Sequence, residues 1–143
     1  MEKADQRSVR ARAGYRCEYC HFPEALAELP FHLDHIVGQQ HGGETVPDNL
    51  ALACCFCNRY KGPNLSGIDP SSGEVVLLFN PRQQLWDDHF VWRGARIFGT
   101  TKCGRATIQL LQINRADAVA VRGLLMQEGG LLQSATDAAR FHL

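Results

Sequence analysis

The cysteine-containing sequences CEYC, at residues 17–20, and CCFC, at residues 54–57, decide the fold of this chain. Each holds a C-x-x-C pair, which presents two thiolates from one tight turn, and two such pairs complete the tetrahedral four-sulfur coordination of a structural zinc ion. A site closed by four thiolates leaves no position for water or substrate, so this metal is predicted to stabilise the fold. The predicted zinc ligands are Cys17, Cys20, Cys54 and Cys57.

The segment between the two pairs predicts two strands joined by a long loop. Residues 31–37 alternate apolar and polar side chains in their first half, as a half-buried strand does. Residues 38–48 contain two adjacent glycines and a proline, which favour a surface loop. Residues 49–53 predict a second strand, and residues 54–62 a turn that continues into a helix. The zinc would then clamp the base of a strand-loop-strand-helix unit.

The flanking regions predict further mixed structure, which makes the fold class α+β. A helix is expected over residues 4–13, and strands over 75–79, within 84–92, over 96–98 and over 106–111. A final helix is expected over 117–127, with Asn114 or Asp117 as its cap. We expect an amino-terminal metal module at residues 1–65 and a carboxy-terminal β/α extension, packed on it, at residues 66–143.

Composition narrows the classes of protein that the chain can represent. The 143 residues are 45% hydrophobic and 21% charged, as in an ordinary folded protein, and the formal net charge is zero. A neutral chain does not bind polyanions over its whole surface, so any nucleic-acid contact must be local. No apolar run is long enough to span a bilayer, and the first residues are charged and unlike an export signal. We therefore expect no membrane association and a cytoplasmic location.

Several short motifs, taken in order, resemble the HNH endonuclease family over most of the stretch from Cys17 to Gly62. The residues that carry the resemblance are CEYC at 17–20, LDHIV at 33–37, GG at 42–43, DNL at 48–50 and CCFCNRYKG at 54–62. Any one of these fragments is weak evidence, but their joint order and spacing make a chance match improbable. The resemblance implies a zinc-stabilised ββα-metal nuclease module that acts on nucleic acid, with DNA as the expected substrate.

The residue types in these motifs also suit phosphodiester hydrolysis on chemical grounds. The reaction needs a base for water and a cation to stabilise charge on the phosphate. His35 is the candidate general base, because a histidine of ordinary pKa, about 6.5, is largely neutral at pH 7. Asp34 and Asn58 offer hard oxygen ligands, which suit Mg²⁺ or Mn²⁺. Asp34 and His35 are adjacent, so they can serve one site only where the strand ends, twists or bulges.

The resemblance assigns supporting roles to further residues. It implies that Asn49 braces the loop so that His35 keeps its orientation. Arg59 and Lys61 are expected to contact phosphates, as is Arg16, which lies in an arginine-rich segment before the first cysteine pair. Each of these cations has a simpler interpretation as a solvated charge on a helix face. Cys55 and Cys103 have no partner in the spacing and are expected to be ordinary small buried residues.

The sequence is also compatible with two other classes of protein. A non-catalytic module with the same zinc scaffold would bind nucleic acid without cleaving it. A redox protein would cycle its C-x-x-C pairs as disulfides, and tightly bound stoichiometric zinc would exclude it.

Overall fold

The computed structural model describes residues 3–129. Residues 1, 2 and 130–143, the last of which belong to the predicted carboxy-terminal extension, lie outside the described part. The elements are α1 (Lys3–Arg12), β1 (His32–His35), β2 (Leu50–Ala53), α2 (Cys55–Lys61), β3 (Ser66–Ile68), β4 (Val75–Leu77), β5 (Phe90–Arg93), β6 (Arg96–Gly99), α3 (Lys102–Leu110) and α4 (Ala116–Gln127).

The unit between the cysteine pairs is an antiparallel hairpin followed at once by a helix. β1 pairs with β2 so that Asp34 lies opposite Ala51 and His35 opposite Leu50. β1 ends at His35, and the connecting loop contains short 3₁₀ turns at Gln39–His41 and Pro47–Asn49. Every residue of β2 is buried, so this strand lies at the centre of the unit. The result is the ββα order that the sequence predicts.

The carboxy-terminal part adds two small hairpins and two helices. β3 pairs with β4, and β5 pairs with β6, both antiparallel. Thr101 caps α3, since its hydroxyl accepts a hydrogen bond from the Gly104 amide at 3.0 Å. Gly104 and Gly99 let α3 approach the β5–β6 hairpin closely, because a Cβ at Gly104 would lie 2.1 Å from the His89 carbonyl oxygen.

One hydrophobic core joins the two halves of the chain. It contains the four cysteines, Phe31 and residues of β2, together with Phe79, Phe90 and Ile97 from the second half. Tyr19 from the first half and Phe79 from the second meet edge to face with ring centroids 6.4 Å apart. Polar links add to this contact, since the Trp86 indole donates to the Tyr19 carbonyl at 2.9 Å and Arg82 pairs with Glu18. The cysteine-rich unit and the later hairpins therefore share their interior.

Two sequence-based predictions are wrong in this part. Residues 106–111 were expected to form a strand, but they belong to α3 and its end. The helix α4 begins after Arg115 without a side-chain cap, so neither Asn114 nor Asp117 caps it. The Asn114 amide instead bridges both backbone groups of Ile97, at 3.0 and 2.7 Å. A short strand, β3, was not predicted, because its Ser-Gly-Ile sequence carries no strand periodicity.

Within the described residues, no helix combines the length and the apolar character needed to cross a bilayer.

Candidate metal centre and active site

The four predicted zinc ligands converge at one buried point. The sulfur atoms of Cys17, Cys20, Cys54 and Cys57 all lie within 4.8 Å of one another. Zinc bound tetrahedrally at about 2.3 Å from each sulfur has sulfur–sulfur edges of about 3.8 Å. The Sγ atoms of Cys20 and Cys54 are 3.8 Å apart, so the cluster has the size that this ion requires. Among residues 3–129 it is the one group of three or more histidine, cysteine or carboxylate side chains placed to hold a metal together.

The local backbone prepares each pair of thiolates. The amide of Cys20 points at Cys17 Sγ at 3.5 Å, and the amide of Cys57 at Cys54 Sγ at 3.3 Å. Cys54 is thus both a ligand and the N-cap of α2. Burial raises the pKa of the Cys17 thiol well above its ordinary value, so a bound cation is needed to hold it as thiolate. Cys55 and Cys103 are half-buried and lie outside the cluster.

The side chain of Asp34 is nearly inaccessible and already faces a cation. It is 5% exposed, and the Lys61 ammonium lies 3.1 Å from its Oδ2. The same oxygen accepts a hydrogen bond from the Tyr19 hydroxyl at 2.9 Å. Burial raises the pKa of the Asp34 carboxyl, while Lys61 and Tyr19 act in the opposite direction. The surroundings of this carboxylate therefore stabilise a positive charge next to it.

His35 projects to a different set of partners, as expected for the neighbour of Asp34 on a strand. Its Nε2 lies 2.8 Å from the hydroxyl of Thr45, in the long loop. The Gln39 amide also donates to this hydroxyl, at 3.3 Å. His35 is half-exposed, so its ring remains accessible to solvent. The role of Thr45 was not predicted, because nothing in the local sequence indicates that it reaches a histidine ten positions earlier.

Asn49 holds the two ends of the loop together. Its Oδ1 accepts from the Val37 amide, and its Nδ2 donates to the carbonyls of Val37 and Glu44, each at 2.9 Å. Gly43 allows the chain to close here, because a Cβ at that position would lie 1.7 Å from the Val37 carbonyl oxygen. The segment that carries Thr45 is therefore fixed relative to the end of β1.

The predicted phosphate-contacting residues have different surroundings. Arg59 is exposed on α2, and Arg16 is half-buried next to Pro23, with which its backbone forms an isolated bridge. Lys61 is 2% exposed, and its ammonium donates to Asp34 and to the carbonyls of His35 and Ile36. The structure thus directs Lys61 into the protein, where the sequence suggested a contact with solvent or phosphate. Asn58 is half-buried one turn before Lys61 on α2, where its backbone amide donates to the Cys54 carbonyl at 2.9 Å.

The thiolate cluster has the size of a zinc site, and the hairpin and helix of the same unit carry Asp34, His35 and Asn58. This arrangement can be compared with known families. Residues 17–64 match the HNH endonuclease family model. The matched HNH segment begins at the first zinc ligand and includes β1, β2 and α2. No curated protein and no solved structure gives a significant match to the chain.

The match supports a nuclease-type function for the HNH segment and implies a nucleic-acid substrate. The mixed α+β fold and the four-cysteine cluster fit a zinc-stabilised ββα-metal module.

Proposed function

We propose that the chain is a metal-dependent endonuclease that hydrolyses DNA phosphodiester bonds. The observation that carries the proposal is the placement of the Asp34–His35 pair at the end of β1, within the HNH segment that also contains the cysteine cluster. At this end the imidazole is half-exposed, while the adjacent carboxylate is buried against a cation. A base and a cation-binding group therefore occur side by side.

His35 acts as the general base in this proposal. The Thr45 hydroxyl, which also accepts from Gln39, has a second lone pair for an Nε2–H donor of His35. With its proton on Nε2, the imidazole keeps a lone pair on Nδ1, and this atom takes the proton of the attacking water. Thr45 and Asn49 are positioning residues, because they fix the ring and the loop and do not transfer protons.

Asp34 and Asn58 are the proposed ligands of a Mg²⁺ or Mn²⁺ ion. One carboxylate and one amide oxygen are hard donors, and Mg²⁺ commonly binds few protein oxygens while keeping several waters. The buried ammonium of Lys61, 3.1 Å from Asp34 Oδ2, supports this proposal, because the carboxylate already has a positive charge as its partner. When bound, the ion would stabilise the negative charge that develops on the phosphate. The exposed Arg59 and the nearby Arg16 are proposed phosphate contacts.

The decisive experiment is plasmid nicking by His35→Ala in Mg²⁺ or Mn²⁺. We expect activity to be lost while zinc content and the circular dichroism spectrum stay unchanged. His32→Ala is the matched control, because His32 lies exposed on the same strand. Nicking by His35→Ala at the wild-type rate would refute the assigned base. Wild-type protein that shifts DNA mobility but never cleaves it would instead indicate a binding module.

A further inference from the structure

Lys61 is buried to an unusual degree for a lysine, and all of its donors are used. Its side chain is 2% exposed, whereas lysines are almost never fully buried unless they are paired. The ammonium donates to Asp34 Oδ1 at 3.4 Å, to the His35 carbonyl at 3.1 Å and to the Ile36 carbonyl at 3.2 Å. These three contacts account for the three N–H donors of an ammonium group. Lys61 therefore has no donor left for a substrate in this arrangement.

The same arrangement leaves little of Asp34 for another cation. Oδ2 accepts a hydrogen bond from Tyr19 and lies 3.1 Å from the Lys61 ammonium, and Oδ1 accepts a hydrogen bond from that ammonium at 3.4 Å. The carboxylate is 5% exposed, yet an ion that is bound to it and also touches a phosphate must have an open side. A hydrated divalent ion and this ammonium would compete for the same oxygens. Their like charges would also repel at short distance.

We propose that Lys61 is a resident counter-ion of Asp34 that leaves the carboxylate when a divalent ion binds there. The inference rests on the proposed function, since it takes Asp34 as a ligand of that ion. Lys61 keeps the buried carboxylate paired in the ion-free protein, which avoids an uncompensated charge in the interior. Its four-carbon stem has the freedom to withdraw the ammonium without movement of α2. Ion binding and release of Lys61 are therefore one coupled step.

Chemical labelling of the wild-type protein tests this coupling directly. The sequence has three lysines, Lys3, Lys61 and Lys102, so acetylation by a brief pulse of reagent can be quantified at each by mass spectrometry. Lys102 is the internal reference, because its side chain is 53% exposed and it pairs only with the exposed Glu74. Without divalent ion, we expect Lys61 to react at least tenfold more slowly than Lys102. Saturating MgCl₂ is expected to raise the Lys61-to-Lys102 ratio severalfold, and this rise is expected to disappear in Asp34→Asn.

Calorimetric titration of the same protein with MgCl₂ distinguishes a failure of the role proposed for Lys61 from a failure of the proposed function. Mg²⁺ binding with Lys61 still protected would overturn the role of Lys61 and leave the proposed function standing. If neither Mg²⁺ nor, in a parallel titration, Mn²⁺ binds, the proposed function fails and this inference fails with it.

A charge-removing variant gives a second, independent measurement. Lys61→Gln keeps amide donors for the two carbonyls but removes the cation, so we expect Mn²⁺ to bind at least threefold more tightly, as measured by electron paramagnetic resonance of the free ion. Lys102→Gln is the matched control, and its affinity should not change. A folded Lys61→Gln protein that binds Mn²⁺ no more tightly than the wild type would refute the competition. If this variant does not fold, the labelling of the wild-type protein remains decisive.

Discussion

The hydroxyl of Tyr19 donates a hydrogen bond to Asp34 Oδ2 at 2.9 Å, and Tyr19 lies between two predicted zinc ligands, Cys17 and Cys20. The tyrosine is fully buried. Burial, together with the charge of Asp34, raises the pKa of the phenol well above its ordinary value, so it remains a donor at neutral pH. The turn that presents two thiolates to the metal thus also orients the carboxylate proposed to bind the divalent ion. The structural zinc and the candidate active site are joined by a single side chain.

Tyr19→Phe should uncouple these two sites without loss of zinc. The change removes a hydrogen bond to a charged group, for which about 1.5–3 kcal/mol is typical. If about half of this is expressed at the barrier, nicking slows about three- to tenfold, since about 1.4 kcal/mol corresponds to a factor of ten in rate. Plasmid nicking and zinc content are the measurements. Tyr15→Phe is the control, because Tyr15 is 53% exposed. Wild-type nicking by Tyr19→Phe would show that this hydrogen bond does not orient Asp34 for catalysis.

Asn49→Ala should loosen the loop that carries Thr45. It removes the hydrogen bonds to Val37 and Glu44 and leaves the partly buried amide and carbonyl of Val37 without this partner. Because an unsatisfied buried group costs about 1–3 kcal/mol, we expect a lower midpoint in urea together with slower nicking. Asn49→Asp keeps only the oxygen that accepts from the Val37 amide. Its urea midpoint and nicking rate should therefore lie between those of the wild type and of Asn49→Ala. Gln40→Ala is the matched control, an exposed amide in the same loop. Unchanged nicking in Asn49→Ala would exclude the loop from catalysis.

Cys17→Ser should abolish zinc binding and the cooperative fold of the HNH segment. A structural zinc site in a small module contributes about 10–16 kcal/mol of binding free energy, coupled to folding. A serine hydroxyl does not replace a thiolate ligand, and here it would lie in a fully buried position. Zinc can be measured by atomic absorption, and folding by thermal unfolding with and without a chelator. Cys55→Ser, next to a ligand but outside the cluster, should retain both properties. Stable folding of the zinc-free Cys17→Ser protein would contradict a structural role for the metal.

The sequence was sufficient to predict the hairpin, α2 and the cysteine cluster, because their determinants are local. Two C-x-x-C pairs, a loop with adjacent glycines and a helix stop at Gly62 each act within a few residues. The error at residues 106–111 has a tertiary cause. The pattern of this segment resembles a strand, but the Thr101 cap and the close approach of Gly104 to the His89 carbonyl fix it as a helix.

The environment of the candidate site was less predictable for the same reason. The contacts of Asp34 come from residues 15 positions before it, in the zinc-binding turn, and 27 positions after it, in α2. No spacing rule joins Tyr19, Asp34 and Lys61. The sequence placed Lys61 on a solvated helix face or at a phosphate, whereas folding of α2 against β1 carries its ammonium inward.

The pair of Asp69 and Arg105 provides a pH dependence of stability that is independent of either metal site. Arg105 donates two hydrogen bonds to the Asp69 carboxylate, at 2.8 and 2.9 Å, and Ser72 donates a third at 2.7 Å. The bonds from Arg105, followed by those from Ser72 and the Ser71 amide, hold the pKa of Asp69 well below its ordinary value. A depressed folded-state pKa means that the unfolded chain binds more protons below about pH 4. The stabilisation is therefore complete above that pH and is lost as the solution is acidified further.

Asp69→Asn tests whether this carboxylate makes stability fall as the pH is lowered. The variant should be less stable than the wild type at pH 7, because one charged acceptor of Arg105 is lost. The difference should shrink between pH 4 and pH 2, because the unfolded wild-type chain then takes up a proton at Asp69 that the folded protein does not bind. Urea unfolding across this range, followed by circular dichroism, is the measurement. Asp87→Asn is the control, since Asp87 is exposed and makes no ion pair within residues 3–129. A stability difference that stays constant down to pH 2 would mean that Asp69 supports the β3–β4 hairpin through packing and hydrogen bonding and not through its charge.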